Sequence, residues 1–173
     1  MITARALRSL LTALFGAWMA VAAQAQGGTD EQLAAQYFQR GEYEKAALYY
    51  DKLYRSQPND YYYEQLFRCQ VSLKDYESAE KLAKDQLRRQ NGDPRFIVDL
   101  GSVYRAQGDD DKATQQFQKA LKGMKYDQAS VRNLANAFSK YNELDLALEA
   151  YERGQNGLKD GTPFHYEIAT IYA

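Results

Sequence analysis

The feature that most constrains the fold of this chain is a repeat of 33 or 34 residues that runs along most of its length. Four short segments each end in an alanine, and these alanines are Ala46, Ala79, Ala113 and Ala147. A second series of apolar residues keeps the same spacing through Leu33, Leu66, Leu100, Leu134 and Ile168. Self-similarity at this period indicates a stack of small, similar structural repeats rather than one irregular core.

Inside each repeat, the apolar residues follow the spacing of an amphipathic helix. Leu100, Val103 and Tyr104 share one helical face, and Ala113 and Phe117 share the next. The chain contains only 3 prolines, so few positions would interrupt a helix. The pattern predicts nine helices, at residues 29–40, 44–56, 61–73, 76–90, 95–107, 110–123, 128–140, 144–157 and 163–173.

The repeat resembles the tetratricopeptide repeat family, whose signature is a large residue, Leu-Gly, Tyr, and then Ala and Phe. The third repeat matches it best, at Ile97, Leu100, Gly101, Tyr104, Ala113, Phe117 and Ala120. The second departs from it, with Phe67 at a small position and Gln70 and Ala83 at aromatic ones. The resemblance implies an all-α, right-handed superhelical solenoid of helix-turn-helix repeats. Its parts would be four full repeats and the first helix of a fifth, at 27–60, 61–93, 94–127, 128–161 and 162–173.

The first 25 residues are of a different kind. Arg5 and Arg8 precede an uncharged, largely apolar run, and Ala23-Gln24-Ala25 places small residues where a signal peptidase cleaves. The run is shorter than the roughly 20 apolar residues of a membrane-spanning helix, although an uncleaved anchor is the alternative. We therefore expect residues 1–25 to be a secretory signal peptide, and the protein to be exported and periplasmic or envelope-associated.

Charge and residue usage argue against several function classes. The net charge is −1, or −3 after residues 1–25 are removed, whereas nucleic-acid-binding domains usually carry a strongly basic face. His165 is the only histidine and Cys69 the only cysteine, too few for the usual zinc sites. We expect His165 to pack against a neighbouring hairpin. No phosphate-binding glycine loop is present, so we expect no enzyme, no cofactor, no metal and no nucleic-acid partner.

The resemblance implies that partners bind on the inner surface formed by the first helix of each repeat. Projecting the repeat onto that surface selects twelve residues: Phe38, Tyr61, Glu64, Arg68, Arg95, Val98, Arg105, Arg132, Asn136, Ser139, Lys140 and Tyr166. Five of them are basic and one is acidic, which favours a protein or peptide partner of acidic character. In the alternative interpretation, Arg68 merely pairs with Glu64 one turn away and the other side chains are solvated.

The function expected from these features is an exported scaffold or adaptor that binds a protein partner. Alternatively, the repeats are the N-terminal extracytoplasmic recognition module of a longer protein with a downstream membrane or enzymatic domain, such as a sensor kinase. The fifth repeat reaches Ala173 without a second helix, so we expect the native chain to continue. Membrane contact would come only through that part or a partner. A third interpretation uses the 15 tyrosines to bind polysaccharide or peptidoglycan. Partner identity and oligomeric state stay open.

Overall fold

The computed structural model describes residues 29–158 and 164–172, so the predicted signal peptide lies outside the described residues. Every regular element among the described residues is an α-helix. The helices are α1 (29–39), α2 (Tyr43–Ser56), α3 (Asp60–Ser72), α4 (Tyr76–Arg89), α5 (Pro94–Ala106), α6 (Asp110–Lys122), α7 (Gln128–Lys140), α8 (Leu144–Gly157) and α9 (His165–Ile171). The predicted all-α helical repeat solenoid is confirmed, while the handedness of its superhelix stays a prediction.

The period seen in the sequence is also present in the backbone. The joint between the two helices of each repeat contains one residue with positive φ, and these residues are Gly41, Lys74, Gly108 and Asn142. At one joint the Gly108 amide donates to the Arg105 carbonyl at 3.0 Å, and the Asp109 amide donates to the Tyr104 carbonyl at 2.9 Å. These bonds satisfy carbonyl groups that the end of a helix leaves unpaired. The same two bonds recur after α1 and α7, and a positive-φ residue follows the first helix of each of these four repeats.

Short polar side chains fix where most of the following helices begin. The residue before the helix accepts a hydrogen bond from a backbone amide of the first turn in α3, α4, α5, α6 and α7, through Asn59, Asp75, Asp93, Asp109 and Asp127. Such N-cap bonds satisfy amides that have no partner inside the helix. Pro94 then occupies the first position of α5, where a missing amide hydrogen costs nothing.

The chain divides into two compact parts, which we call the N-terminal body (Met1–Leu73) and the C-terminal body (Lys74–Ala173). The division falls in the turn between α3 and α4, inside the predicted second repeat. The core of the N-terminal body includes Tyr50 of α2 and Tyr63 and Phe67 of α3, all almost fully buried. Tyr63 stacks on Phe67 with ring centroids 5.8 Å apart, so the large residue at the divergent position is packed within this body.

The core of the C-terminal body is formed by α5, α6, α7 and α8. Gly101 of α5 lies directly against Phe117 of α6, and a Cβ atom at Gly101 would be 2.2 Å from the Phe117 Cε1 atom. Gly154 of α8 also lies close to Val131 of α7, where the corresponding distance is 2.6 Å. The absence of a side chain at Gly101 therefore lets α5 approach α6 closely beside the Phe117 ring.

None of the helices in the described part of the chain is both long enough and apolar enough to cross a membrane.

Candidate partner-binding surfaces

Four of the twelve predicted residues lie in the N-terminal body: Phe38 on α1, and Tyr61, Glu64 and Arg68 on α3. We call these four residues the aromatic face. The structure brings Arg68 onto the ring of Phe38, with the guanidinium carbon 4.7 Å from the ring centroid. Phe38 in turn contacts the edge of Tyr43, with centroids 5.4 Å apart. Tyr61, seven residues before Arg68 and on the same side of α3, is 49% exposed.

The alternative interpretation of Arg68 does not match the geometry. Arg68 is exposed, and among the described residues it forms no ion pair with Glu64 or with any other carboxylate. A cation held over an aromatic ring is attracted by the electron density of the ring face and keeps a defined orientation. The outer N–H groups of the guanidinium therefore remain available to a ligand.

Arg105 in the C-terminal body is held by carboxylates of the same chain. Its Nε and Nη2 atoms donate to the two carboxylate oxygens of Glu143 at 3.0 and 3.2 Å, and its Nη1 atom donates to Asp110 at 3.0 Å. Glu143 immediately precedes α8, so this fork joins the third repeat to the fourth. The guanidinium also lies over Phe117. Arg105 thus already has the bidentate carboxylate that an acidic partner would otherwise supply.

Arg132 of α7 is paired in a similar way. Its Nε atom donates to Glu167 of α9 at 2.6 Å, and its Nη1 atom donates to Gln128 at 3.3 Å. The guanidinium carbon is 5.3 Å from the centroid of the buried Phe164 ring. The hydrogen bond from Arg132 lowers the pKa of the Glu167 carboxyl, so the pair is charged at neutral pH. Arg132 therefore attaches α9 to the preceding repeat.

Lys140, at the end of α7, is directed to Asp99 of α5. Its Nζ atom lies 3.4 Å from an Asp99 carboxylate oxygen, and the neighbouring Tyr141 hydroxyl donates to the same oxygen. Asp99 is only 5% exposed, so this contact belongs to the packing between α5 and α7. A partner that used Lys140 would have to compete with a buried acid.

Val98 requires a correction, because its side chain has no exposed surface and cannot contact a partner in this structure. The reason is that α5 packs against α4, α6 and α7, so more of its circumference is covered than projection of the repeat suggests. Of the other predicted residues, Asn136 and Tyr166 are exposed and Ser139 is half-buried. His165 is exposed at the start of α9, so the expectation that it packs against a hairpin was wrong.

Arg95 lies at the opposite end of α5 from Arg105, and its surroundings are different. Its Nε and Nη2 atoms both donate to one oxygen of Asp93, at 3.0 and 2.8 Å. The pair lines a cleft of about 370 Å³ in the C-terminal body, between the α4–α5 connection, the α6–α7 connection and the first turns of α7. Sequence reasoning missed this cleft because the two connections are a full repeat apart, and each alone reads as an ordinary turn.

The described residues offer no group of three or more His, Cys, Asp or Glu side chains placed to hold a metal ion. Cys69 is buried in α3, and desolvation raises the pKa of its thiol to about 11. A thiol with that pKa is almost fully protonated at neutral pH and is a poor nucleophile.

Comparison with known proteins gives one family match and several structural similarities. A sequence model described as tetratricopeptide repeat matches residues 97–132. No curated protein matches the chain. Three similar solved structures are "MamA RS-1 ArsTM double mutant", "MamA 41-end from Desulfovibrio magneticus RS-1" and "Crystal structure of MamA protein". They are 18%, 18% and 19% identical, with TM-scores of 0.46, 0.45 and 0.46. The similarity covers 75%, 75% and 84% of this chain, and 74%, 74% and 80% of theirs.

Proposed function

We propose that this protein is an exported scaffold that holds a protein partner on the first helices of its repeats, and that its role is binding rather than catalysis. The match of residues 97–132 to a tetratricopeptide repeat model supports this proposal. Stacked repeats present extended surfaces suited to protein partners. The observation that carries the proposal is the aromatic face, where an exposed Arg68 lies on Phe38 beside the half-exposed Tyr61. Arginine and tyrosine are the residue types that most often dominate protein interfaces.

The partner in this proposal presents an acidic segment to the aromatic face. Arg68 is oriented by the ring beneath it, so little side-chain entropy is lost when a carboxylate binds its free edge. In the C-terminal body, a partner carboxylate at Arg105 or Arg132 would have to replace Glu143 or Glu167. Such an exchange adds little net affinity. The aromatic face should therefore supply most of the polar contribution to binding.

The test begins with covalent capture of the partner in its native cells, using a photo-crosslinking amino acid at Tyr61. With the captured partner purified, we expect Arg68→Glu to weaken its affinity by about tenfold or more, because an acid would then face the acidic segment. Arg40→Glu is the matched control, since Arg40 is also an exposed arginine of the N-terminal body and follows the end of α1. Equal affinity of wild type and Arg68→Glu for the partner would contradict the proposal.

The C-terminal body is tested separately through Tyr166, which is 88% exposed. Loss of affinity in Tyr166→Ala would extend the binding surface to α9. Unchanged affinity would restrict the partner to the aromatic face. The charged residues of this body are less suitable for the test, because Arg105→Glu and Arg132→Glu would also break bonds between repeats.

Export is proposed on the arginines, the apolar run and the small residues of positions 1–25. The expected measurement is the intact mass and first residues of the protein purified from its native cells. A chain that starts near Gln26 and is found outside the cytoplasm supports export. A chain that retains Met1 in the cytoplasm rules it out.

A further inference from the structure

The cleft beside Arg95 combines an apolar floor with polar walls. Met124 and Leu134 form the floor and are both almost fully buried. The walls come from three places in the sequence and include Asn91, Lys125 and Asn133. A volume of about 370 Å³ is within the range of pockets that bind small ligands.

Several polar groups in the walls have no partner among the residues that the structure describes. The side chains of Asn91 and Asn133 are exposed and make no hydrogen bond with any residue that the structure describes. Lys125 forms no ion pair with a described residue, although its charge acts at a distance on the carboxylate of Asp127. That carboxylate is itself bound by the amide and hydroxyl of Ser130. The cleft therefore contains two carboxamides without a partner among the described residues, and one lysine ammonium group that forms no ion pair with them.

The charge balance of the lining favours an anionic ligand. Arg95 is neutralised by Asp93 within the cleft, so Lys125 leaves the lining with one net positive charge. Each free carboxamide offers one donor group and one acceptor, the same pair that a peptide group presents. The lining contains no aromatic ring, so it has no stacking platform for a nucleobase. A peptide backbone with one carboxylate fits these groups better than a flat or uncharged ligand.

We propose that this cleft is a second binding site, which takes an extended peptide segment carrying an aspartate or glutamate. The carboxylate binds Lys125, the peptide groups bond to Asn91 and Asn133, and an aliphatic side chain covers Met124 and Leu134. The cleft belongs to the C-terminal body and shares no residue with the aromatic face of the N-terminal body. Within the C-terminal body it lies about 15 Å along α5 from Arg105, as the rise per residue of an α-helix implies. The proposal therefore does not depend on the partner-binding role given above.

The test uses a phage-displayed library of random heptapeptides selected on the full chain, followed by affinity measurements on the synthesised winners. We expect the winners to share an acidic residue. We also expect the double variant Lys125→Glu, Asn133→Leu to bind these peptides with an affinity lower by about tenfold or more. The matched control combines Lys122→Glu with Gln115→Leu, two exposed residues of α6 outside the cleft, and should leave affinity within about twofold. Helical circular dichroism and melting temperature establish that both variants fold.

Three outcomes would overturn the proposal: no enriched peptide, enriched peptides without an acid, or equal affinity for wild type and the cleft variant. Peptides that no longer bind the Arg68→Glu variant but still bind the cleft variant would be ligands of the aromatic face. This result would support the first proposal and contradict this one. Glucuronic acid provides a further probe. If it bound at Lys125 and Asn133 while no peptide did, the cleft would be a site for acidic sugars and the peptide assignment would be wrong.

Discussion

At the scale of single residues, two positions of the repeat change together. Three repeats carry such a pair eight residues apart: Tyr37 with Lys45, Tyr104 with Lys112, and Phe138 with Leu146. In the first two, the ammonium group lies 5.2 and 5.6 Å from the centre of the tyrosine ring. In the third, both residues are apolar: Phe138 lies in the core of the C-terminal body, and the partly buried Leu146 packs against that core. The two positions therefore hold a cation–aromatic pair in two repeats and two apolar residues in a third.

Gly101 gives the sharpest prediction at this scale. A Cβ atom there would be 2.2 Å from the Phe117 ring, so Gly101→Ala should lower the free energy of unfolding by about 1–3 kcal/mol, and Gly101→Leu by more. Gly123→Ala is the control, because its nearest neighbour would be 3.4 Å away and its φ of −85° suits any residue. Chemical denaturation measures both. A Gly101→Ala variant as stable as wild type would show that the two helices are not in close contact.

Residue partners were the least predictable part of the surface. Sequence spacing correctly places Arg105 and Arg132 on first helices, but it cannot show that their carboxylates come from Glu143 and Glu167, more than 30 residues away. It also failed for Val98, because burial depends on how many helices surround α5. Local patterns report the neighbours within one helix, whereas these contacts depend on how hairpins stack.

At the scale of helices and turns, the sequence was far more informative. The predicted ends of α2 through α8 agree with the structure to within one residue. The reason is that many of these boundaries have a local cause, such as the Asp109 cap or the positive φ of Gly108. Segments that carry their own start and stop signals can be read without knowledge of their tertiary contacts.

The turn between α3 and α4 provides a prediction for an element boundary. Lys74 has a φ of 58°, a conformation that costs a residue with a side chain roughly 1 kcal/mol and costs glycine almost nothing. Lys74→Gly should therefore stabilise the protein by about that amount, while Gly108→Ala, at the equivalent position, should destabilise it. Urea denaturation at constant pH measures both changes. If the free energy of unfolding changed in the same direction in both variants, the positive φ at this turn would not be the cause of the difference.

The attachment of α9 should depend on pH. Its Glu167 carboxyl has a pKa lowered mainly by the hydrogen bond from Arg132, so the folded state holds this proton less tightly than the unfolded state does. The stabilisation is fully present above the unfolded pKa of about 4.3 and is lost as pH falls through the folded value. Both side chains are partly exposed, so its size should be below about 1 kcal/mol.

Melting temperatures from pH 3 to 7 provide the measurement for this pair. Glu167→Gln should melt below wild type at pH 7, and the gap should close toward pH 3. Glu152→Gln, an exposed acid of α8, serves as control and should show no such gap. A gap that stays constant with pH would mean that the Arg132 pair does not hold α9.

At the scale of the whole molecule, the division into an N-terminal and a C-terminal body predicts two regions of separate stability. Contacts cluster within each body, so opening one need not break the contacts of the other. Gly154→Ala, which would place a Cβ atom 2.6 Å from Val131, should reduce hydrogen-exchange protection of α7 and α8. Protection of α2 and α3 should be unchanged. An equal loss of protection in both bodies would show that they open as one.

The bidentate ion pair between Arg105 and Glu143 also suggests how an array of such repeats can evolve. The residue after the positive-φ position is acidic in all four repeats: Glu42, Asp75, Asp109 and Glu143. The position of Arg105 is occupied by Phe38, Val71 and Ser139 in the other repeats. Any repeat copied into the place after the third would therefore bring a suitable acid with it. In an array with an acid at every joint, one substitution to arginine is enough to create a bond between successive repeats.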